Sequence, residues 1–266
     1  MKLAVALMAL STLAIPSQAW GQTTGPDPPP ADSPSSTPAP PLDRPISWKR
    51  MVPNLLQDQE RIWSSPVRLA QGHWWIPTAA VLGTTAALLA LDPTEAAYFR
   101  RTSTFHGFNN IFTGNATSLG TFAAPVSLYA TGLIRRDSKM QRTALLAGEA
   151  VGDAEVVTTV IKDATRRLRP AGIPAGGNYS DSWFKSGGSL VRGSGSFPSG
   201  HTIAAVSVAT VIARRYGNHR WVPYAAYGMA TLVGFSRLSL LSHFSSDVFM
   251  GGALGYSISR FIVLRQ

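Results

Sequence analysis

The sequence predicts an all-α fold, a helical bundle, on two observations. Long apolar runs recur at helical rather than alternating spacing, and strand patterns are weak everywhere. Glycine, proline and charged residues separate these runs, as is typical of helix ends. The chain has 266 residues, a mean hydropathy of +0.06 and no cysteine, so disulfides and thiol nucleophiles are excluded.

The amino-terminal part predicts export followed by a linker. Lys2, an apolar run from Leu3 to Ile15 and small residues up to Ala19 are typical of a secretory signal. We therefore expect residues 1–19 to be a signal peptide and the protein to reach the periplasm or cell envelope. Residues 20–46 are rich in proline and serine and predict a disordered linker. The helical domain is then 47–266.

Within that domain the apolar patterns predict helices joined by short breaks. They cover 51–71, 74–91 (ending at Asp92-Pro93), 111–134, 143–168, 201–214, 221–235 and 243–264, with a loop over 171–198. Runs 74–91 and 111–134 have the length of membrane spans, but basic residues flank 111–134 on both sides. The acids of 143–168 would be costly in lipid. We favour a largely soluble bundle, or one that lies on a membrane, over a multispan protein.

The charge balance is basic, with 24 Lys and Arg against 14 Asp and Glu. Such a balance fits a solvated surface or attraction to acidic lipid headgroups. Aromatic-basic interleaving and helix-turn-helix or zinc patterns are missing from the sequence, so nucleic acid is not an expected partner.

Three short segments carry the candidate chemistry. In the first, Lys162 and Arg169 are seven residues apart and would share one helical face, with Arg166 between them and Pro170 ending the helix. Cations in a last helical turn also interact well with the helix dipole, so this segment alone does not require an anion site.

The second segment is Pro198-Ser199-Gly200-His201, which follows a glycine-rich approach. Free backbone N–H groups at the start of a helix, with glycine allowing close approach, form an anion cradle. Ser199 could cap the helix or donate to a phosphate. An ordinary cap with a surface histidine explains the same pattern equally well.

The third segment is Ser236-Arg237 followed by His243 and Asp247. With a spacing of i and i+4, Asp247 can accept the Nδ1–H of His243 and leave Nε2 free for attack. A surface His–Asp pair of small energetic consequence is the alternative.

Together the segments predict a phosphoryl-transfer site. One histidine could act as nucleophile and the other as general acid. Lys162, Arg169 and Arg237 could neutralise three phosphoryl oxygens. The sequence shows no second acidic cluster of the kind that holds two metals, so we expect neither a metal nor a cofactor.

The segments resemble the signature of the type 2 phosphatidic acid phosphatase and vanadium haloperoxidase superfamily, K-x6-RP, PSGH and SR-x5-H-x3-D. The resemblance implies a helical bundle with its site at helix ends. It further implies that His243 forms a phosphohistidine, Asp247 orients it, and His201 protonates the leaving alcohol. The phosphoryl oxygens would be held by Lys162, Arg169, Ser199, Gly200 and Arg237.

The function expected from these residues is phosphomonoester hydrolysis in the cell envelope, on a lipid or isoprenyl phosphate or a small soluble phosphoester. Two alternatives remain. One is a vanadate-dependent haloperoxidase, since vanadate mimics the phosphoryl transition state in the same cradle. The other is a non-catalytic protein of the same fold that binds anions or a membrane surface.

Overall fold

The computed structural model describes residues 44–187 and 193–265. The predicted signal peptide and most of the predicted linker therefore lie outside the described residues. In these two ranges the regular structure consists of helices, without a strand, so the predicted all-α class is confirmed.

Eight α-helices follow one another along the described chain: α1 (Met51–Ala70), α2 (Trp75–Arg101), α3 (His106–Ile111), α4 (Gly114–Ile134), α5 (Ser138–Thr165), α6 (Gly200–Arg215), α7 (Trp221–Ser239) and α8 (Ser245–Ser257). A 3₁₀ turn precedes α1 (Trp48–Arg50) and another follows α5 (Pro170–Gly172). A π-helical turn (Ile258–Val263) extends α8.

Helix α6 is the centre of the bundle. It packs against α5, α7 and α8, while α4 covers α5, α2 lies on α8 and α1 lies on α5. Alanine and β-branched residues dominate the core at these contacts, including Ala147, Ala150, Ala154, Ile203 and Val211. Small side chains let the helices approach closely, and this places the helix ends of the site within reach of one another.

The contact between α6 and α8 is close enough to require glycine. A Cβ on Gly255 would lie 2.4 Å from the carbonyl oxygen of Ile203, and one on Gly251 would lie 2.8 Å from that of Ser199. Real Cβ atoms do not approach so closely, so α8 presents bare backbone to α6. The amino-terminal ends of the two helices consequently meet, and the Ser199 N–H donates to the Asp247 carbonyl at 3.0 Å.

The predicted helix stop at Asp92-Pro93 is wrong, because α2 continues through Pro93 to Arg101. The buried residues of α2 lie on one face at Thr85, Leu88, Asp92 and Ala96. Helix α2 packs against α8, and Asp92, which directly precedes the proline, bonds the start of α8. Tertiary packing thus outweighs the lost backbone hydrogen bond.

The predicted helix over 143–168 is displaced, and α5 ends at Thr165. Arg166 has a φ of 43° and turns the chain out of the helix. Arg169 follows in extended backbone, so the prediction that Lys162, Arg166 and Arg169 share a helical stripe is wrong. The exposed Arg166 instead donates to the carbonyl of Ser186.

Two boundaries also differ from the expectations. Helix α8 begins at Ser245, so His243 precedes it rather than lying on its face. Arg44 belongs to the segment expected to be linker, but its guanidinium forms ion pairs with Asp58 of α1 and Glu149 of α5. The ordered unit therefore extends to at least residue 44, because those carboxylates are buried and need a cation.

Helix α2 is long and apolar enough to cross a membrane, with a mean hydropathy of 1.4 over its most apolar 18 residues. Only 17% of that window is buried within the protein. It is the one such helix in the described ranges.

Candidate active site

Five helix ends converge at one end of the bundle. Lys162 lies in the last turn of α5, and its ammonium reaches the start of α6, where a Cβ on Gly200 would lie 3.4 Å from Nζ. Arg237, near the end of α7, reaches the start of α4, where a Cβ on Gly114 would lie 3.6 Å from Nη1. The fifth end is the start of α8, which carries Asp247.

The imidazole of His243 is fixed by a backbone carbonyl. Its Nδ1 lies 2.7 Å from the carbonyl oxygen of Ser196. Because a carbonyl can only accept, Nδ1 carries the proton and Nε2 keeps its lone pair. Asp247 Oδ2 is 3.6 Å from Nδ1, too far for a hydrogen bond. The expectation that Asp247 accepts this proton is therefore corrected: Ser196 accepts it, and Asp247 acts on the ring through its charge.

Asp247 is itself held on both oxygens. Oδ1 accepts from Arg167 Nη1 at 2.6 Å. Oδ2 accepts from Ser196 Oγ at 2.5 Å and from the Phe244 N–H at 2.9 Å. Burial alone would raise the pKa of Asp247, but His243, Arg167 and Ser196 outweigh burial and hold that pKa below its usual range. The group beside His243 is consequently a carboxylate.

His201 lies in the first turn of α6 and contacts α4. Its Nε2 is 2.8 Å from Ser118 Oγ and 3.2 Å from the carbonyl oxygen of Gly114. Burial and, second, the charge of Arg237 lower the pKa of His201 to about 4, against the contact with Gly114, which raises it. In the unliganded protein His201 is therefore neutral at neutral pH.

The three predicted cations are brought together without acidic partners. The side chains of Lys162, which is buried, and Arg169, which is exposed, form no hydrogen bond or ion pair with any described residue. Arg237 is 1% exposed, and its Nη2 donates to the Phe112 carbonyl and to Ser236 Oγ. Burial lowers the pKa of Lys162 to about 8 and that of Arg237 to about 10, and the charge of Arg169 contributes to both shifts. Two buried cations with a third, exposed cation beside them attract an anion.

The start of α6 completes the cradle. Ser199 is fully buried at the N-cap position, and its Oγ accepts from Thr202 Oγ1 at 2.9 Å. The hydroxyl proton of Ser199 is therefore left to donate outward. The amides of Gly200 and His201 are in the first turn, where backbone N–H groups lack intrahelical partners.

The pKa of His243 is also lowered to about 4, chiefly by burial, so this ring is neutral in the unliganded protein at neutral pH. One phosphate charge about 4 Å from an imidazole favours the charged ring by about 4 kcal/mol at an effective dielectric constant of about 20. A bound phosphate would therefore raise the pKa of His201 and that of His243 alike.

The structure brings all the predicted site residues to one place, namely Lys162, Arg169, Ser199, Gly200, His201, Arg237, His243 and Asp247. Three further residues touch them and were not predicted from the sequence, namely Ser118, Arg167 and Ser196, and a fourth, Asp92, touches Arg167. Arg167 lies inside the first motif and Ser196 lies just before the second. Their closeness in sequence to the motifs could therefore have indicated these two residues. Asp92 and Ser118 are 70 or more residues from any motif position they contact, and periodicity gives no sign of them.

Across 44–187 and 193–265, the structure places no group of three or more acidic or histidine side chains where they could hold a metal ion.

A family model described as the PAP2 superfamily matches residues 143–266, which contain all three motifs. The match agrees with the family resemblance that the three motifs predict. Lipid A 1-phosphatase from Porphyromonas gingivalis is 33% identical over 97 residues. That stretch is 36% of this chain but only 21% of the relative's length.

Among solved structures, the first transmembrane PAP2 type phosphatidylglycerolphosphate phosphatase from Bacillus subtilis matches with a TM-score of 0.42 at 20% identity. The match covers 80% of this chain and 92% of that one.

Proposed function

We propose that the protein is a metal-independent phosphatase that hydrolyses a phosphomonoester through a phosphohistidine at His243, and that a lipid carries the phosphate. One observation supports this most. The buried cations Lys162 and Arg237 and the exposed Arg169 form no ion pair with a described residue. They lie around the imidazole of His243, whose Nδ1 is bound to a carbonyl and whose Nε2 forms no hydrogen bond with a described residue. The cations would hold an anionic substrate, and Nε2 would attack it.

In the first step the Nε2 lone pair of His243 attacks phosphorus and forms a P–N bond. The P–O bond to the alcohol breaks, and the departing oxygen takes a proton from His201. The imidazole of His243 gains positive charge, which the carboxylate of Asp247 offsets from 3.6 Å. The role of Asp247 is thus to stabilise the charged ring as well as to hold it.

In the second step His201, now neutral, removes a proton from water. The water oxygen attacks phosphorus, the P–N bond breaks, and its electrons return to Nε2. Phosphate leaves and both histidines regain their starting states. His201 therefore acts as acid and then as base, the exchange of roles that two-step hydrolysis requires.

Charge on the phosphoryl oxygens is neutralised by Lys162, Arg169 and Arg237, with the Ser199 hydroxyl and the Gly200 amide as hydrogen-bond donors. Preorganised cations and donors of this kind supply the electrostatic stabilisation that Mg²⁺ supplies in many phosphoryl-transfer enzymes. On this proposal activity persists in the presence of a metal chelator.

The exposed apolar surface supports a lipid substrate. Besides α2, helices α4 and α7 expose large apolar side chains, among them Leu119, Phe122, Val126, Trp221 and Met229. The site lies beside the carboxy-terminal third of α2, since Asp92 contacts α8 and Arg100 donates to the Pro170 carbonyl. If α2 crosses a bilayer, the site is then near one bilayer face, where lipid phosphates are found. The relative that acts on lipid A agrees with this choice.

We infer from the predicted signal peptide that the site lies in the cell envelope. Extraction of the mature chain from membranes with salt and with detergent tests whether α2 crosses the bilayer. A chain with a spanning α2 is released only by detergent.

Hydrolysis assays test the function. Purified protein in detergent is given phosphatidic acid in mixed micelles, an aryl phosphate and a chelator. We expect phosphate release from both substrates, faster from the lipid, with or without chelator, and none from the His243→Ala variant. A protein that releases no phosphate from either compound contradicts the proposal. Halide oxidation that depends on added vanadate and peroxide would replace it.

A further inference from the structure

We propose that Arg167, held in place by Asp92 of α2, is a positioning residue that fixes Asp247 and thereby the charged state of His243. The proposal rests on the proposed function, because the reaction it supports is attack by His243. It adds a buried pair outside the three motif signatures and connects the apolar helix α2 to the nucleophile.

Arg167 is 2% exposed and is bound on every side. Nη1 donates to Asp247 Oδ1 at 2.6 Å, and Nη2 donates to Asp92 Oδ2 at 2.7 Å. The guanidinium packs between the rings of Phe244 and Trp183, whose centroids lie 4.0 and 4.6 Å from Cζ. A planar fork that binds two carboxylates while stacked between rings can be made only by arginine.

The Arg167 contact determines what Asp247 can do. Every other hydrogen bond to this carboxylate is made on Oδ2, the oxygen that faces His243. Arg167 alone holds Oδ1, so it sets the rotation of the carboxylate and supplies its countercharge. Without Arg167 a fully buried carboxylate would have no cation in contact, and it would tend to take up a proton. A protonated Asp247 could not offset the charge that develops on His243.

Asp92 holds Arg167 and the start of α8 together. Its Oδ1 accepts from the Ser246 N–H and from Ser245 Oγ, both at 3.1 Å, and its Oδ2 accepts from Ser246 Oγ at 2.5 Å. Asp92 therefore caps α8 from another helix and places a negative charge at a helix amino terminus. Asp247 lies in the same first turn of α8. Arg167 therefore holds the Asp247 carboxylate directly, while Asp92 holds both Arg167 and the turn that carries Asp247.

The experiment compares Arg167→Gln, Arg167→Lys and Asp92→Asn with the wild type, and uses Arg166→Gln as the matched control. Arg166 is the adjacent arginine, but it is exposed and bound only to a loop carbonyl. We expect Arg167→Gln to lower kcat by roughly 10- to 100-fold, the usual effect of removing a group that orients a functional ligand. KM should change by less than about twofold, because the phosphate-facing cations are intact.

Rescue and coupling distinguish positioning from a structural role. Arg167→Lys keeps the charge and should recover part of kcat. Asp92→Asn keeps the shape and should lower kcat less than Arg167→Gln does. The double variant should lose no more activity than Arg167→Gln, because both changes break one unit. Thermal unfolding checks that each variant is folded.

A folded Arg167→Gln with wild-type kcat overturns the proposal, as does a loss equalled by Arg166→Gln. If Arg167→Gln does not fold, Asp92→Asn decides in the same way: a wild-type kcat in this variant overturns the proposal. If the wild type hydrolyses no phosphoester, the proposed function fails, but the positioning role of Arg167 can still be tested. The readout is then the Nδ1–H proton resonance of labelled His243. That resonance should move in Arg167→Gln and stay in place in Arg166→Gln.

Discussion

Two charged regions each include residues of helix α5, and they differ in how their charges are paired. The first, here called the ionic cluster, consists of Arg44, Asp58, Glu149 and Asp153. Arg44 forms ion pairs with both Asp58 and Glu149, and Asn54 and Gln59 donate to Glu149 and Asp153 at 2.7 and 2.9 Å. The second consists of the phosphate-facing cations Lys162, Arg169 and Arg237, which have no acidic partner in the described chain.

On the proposed function, the first region holds the fold together and the second binds the ligand. Buried charges are costly unless they are paired. In the ionic cluster Arg44 pairs with Asp58 and Glu149 and so joins the start of the ordered chain to α1 and α5. Asp153 forms no ion pair with a described residue, and burial raises its pKa to about 7. In the second region the cations form no ion pair with a described acid, and burial lowers the pKa of Lys162 to about 8. Stability and activity should therefore respond oppositely when the two regions are mutated.

Removal of Arg44 should produce the largest effect on stability. Arg44→Ala leaves Asp58 and Glu149 buried without their cation, which costs about 3–5 kcal/mol of unfolding free energy. The activity per folded molecule should stay unchanged. Thermal and denaturant unfolding measure the loss, with the exposed Arg50→Ala as control. An Arg44→Ala protein of wild-type stability would remove the distinction between the two regions.

Removal of Lys162 should do the reverse. Lys162→Ala should lower kcat/KM by roughly 10²–10³-fold, the usual result of deleting one preorganised group that stabilises a developing negative charge. Stability should be equal or higher, because an unpaired buried charge is gone. Steady-state kinetics and unfolding are measured together, with the exposed Lys49→Ala as control. A Lys162→Ala variant that is destabilised but fully active would show that this cation is structural.

The close contact of α6 with α8 holds the phosphate-facing region in place. Gly255→Ala puts a methyl group 2.4 Å from the Ile203 carbonyl oxygen, and overpacking of this kind costs about 1–3 kcal/mol. Gly252→Ala, on the same helix, meets only Val206 at 4.0 Å and serves as control. Unfolding measurements should show loss in the first variant and no loss in the second. Equal stability of the two would mean that the helices separate easily.

The pH dependence should show the smallest effect. The pKa of Lys162 is lowered to about 8, so its ammonium is charged below that pH and neutral above it. We expect kcat/KM to fall by up to about tenfold per pH unit above pH 8. Lys162→Arg should move this fall to higher pH, since a guanidinium stays charged. Titration of the substrate affects the wild-type and Lys162→Arg profiles equally, so a difference between the two profiles reports on Lys162. Identical alkaline limbs would show that Lys162 does not set the limb.

The sequence predicts the helical class and the motif residues because both depend on local spacing. Ser199 lies at a helix start as expected, and His243 lies near Asp247 but ahead of α8 instead of on its face. The path of Arg169 is not, since a left-handed residue at Arg166 ends the helix early and no spacing rule signals it. The error in α2 is of the opposite kind. Asp92-Pro93 is a typical helix stop, but α2 continues through it to Arg101.

The network behind the nucleophile could not be predicted, because it depends on contacts distant in sequence. Asp92 and Arg167 are separated by 75 residues, and Ser118 and His201 by 83. Each of these residues alone is typical of an ordinary polar helix position. Only the packing of α2 on α8 and of α4 on α6 gives them their partners.

Phosphoenzyme trapping tests the central claim most directly. The protein is mixed with a ³²P-labelled phosphomonoester, quenched within one turnover in base, and analysed for bound label. The account predicts an acid-labile, base-stable phosphohistidine that maps to the peptide containing His243 and is missing from His243→Ala. Hydrolysis by the wild type without any labelled protein, or with label that persists in His243→Ala, would contradict it.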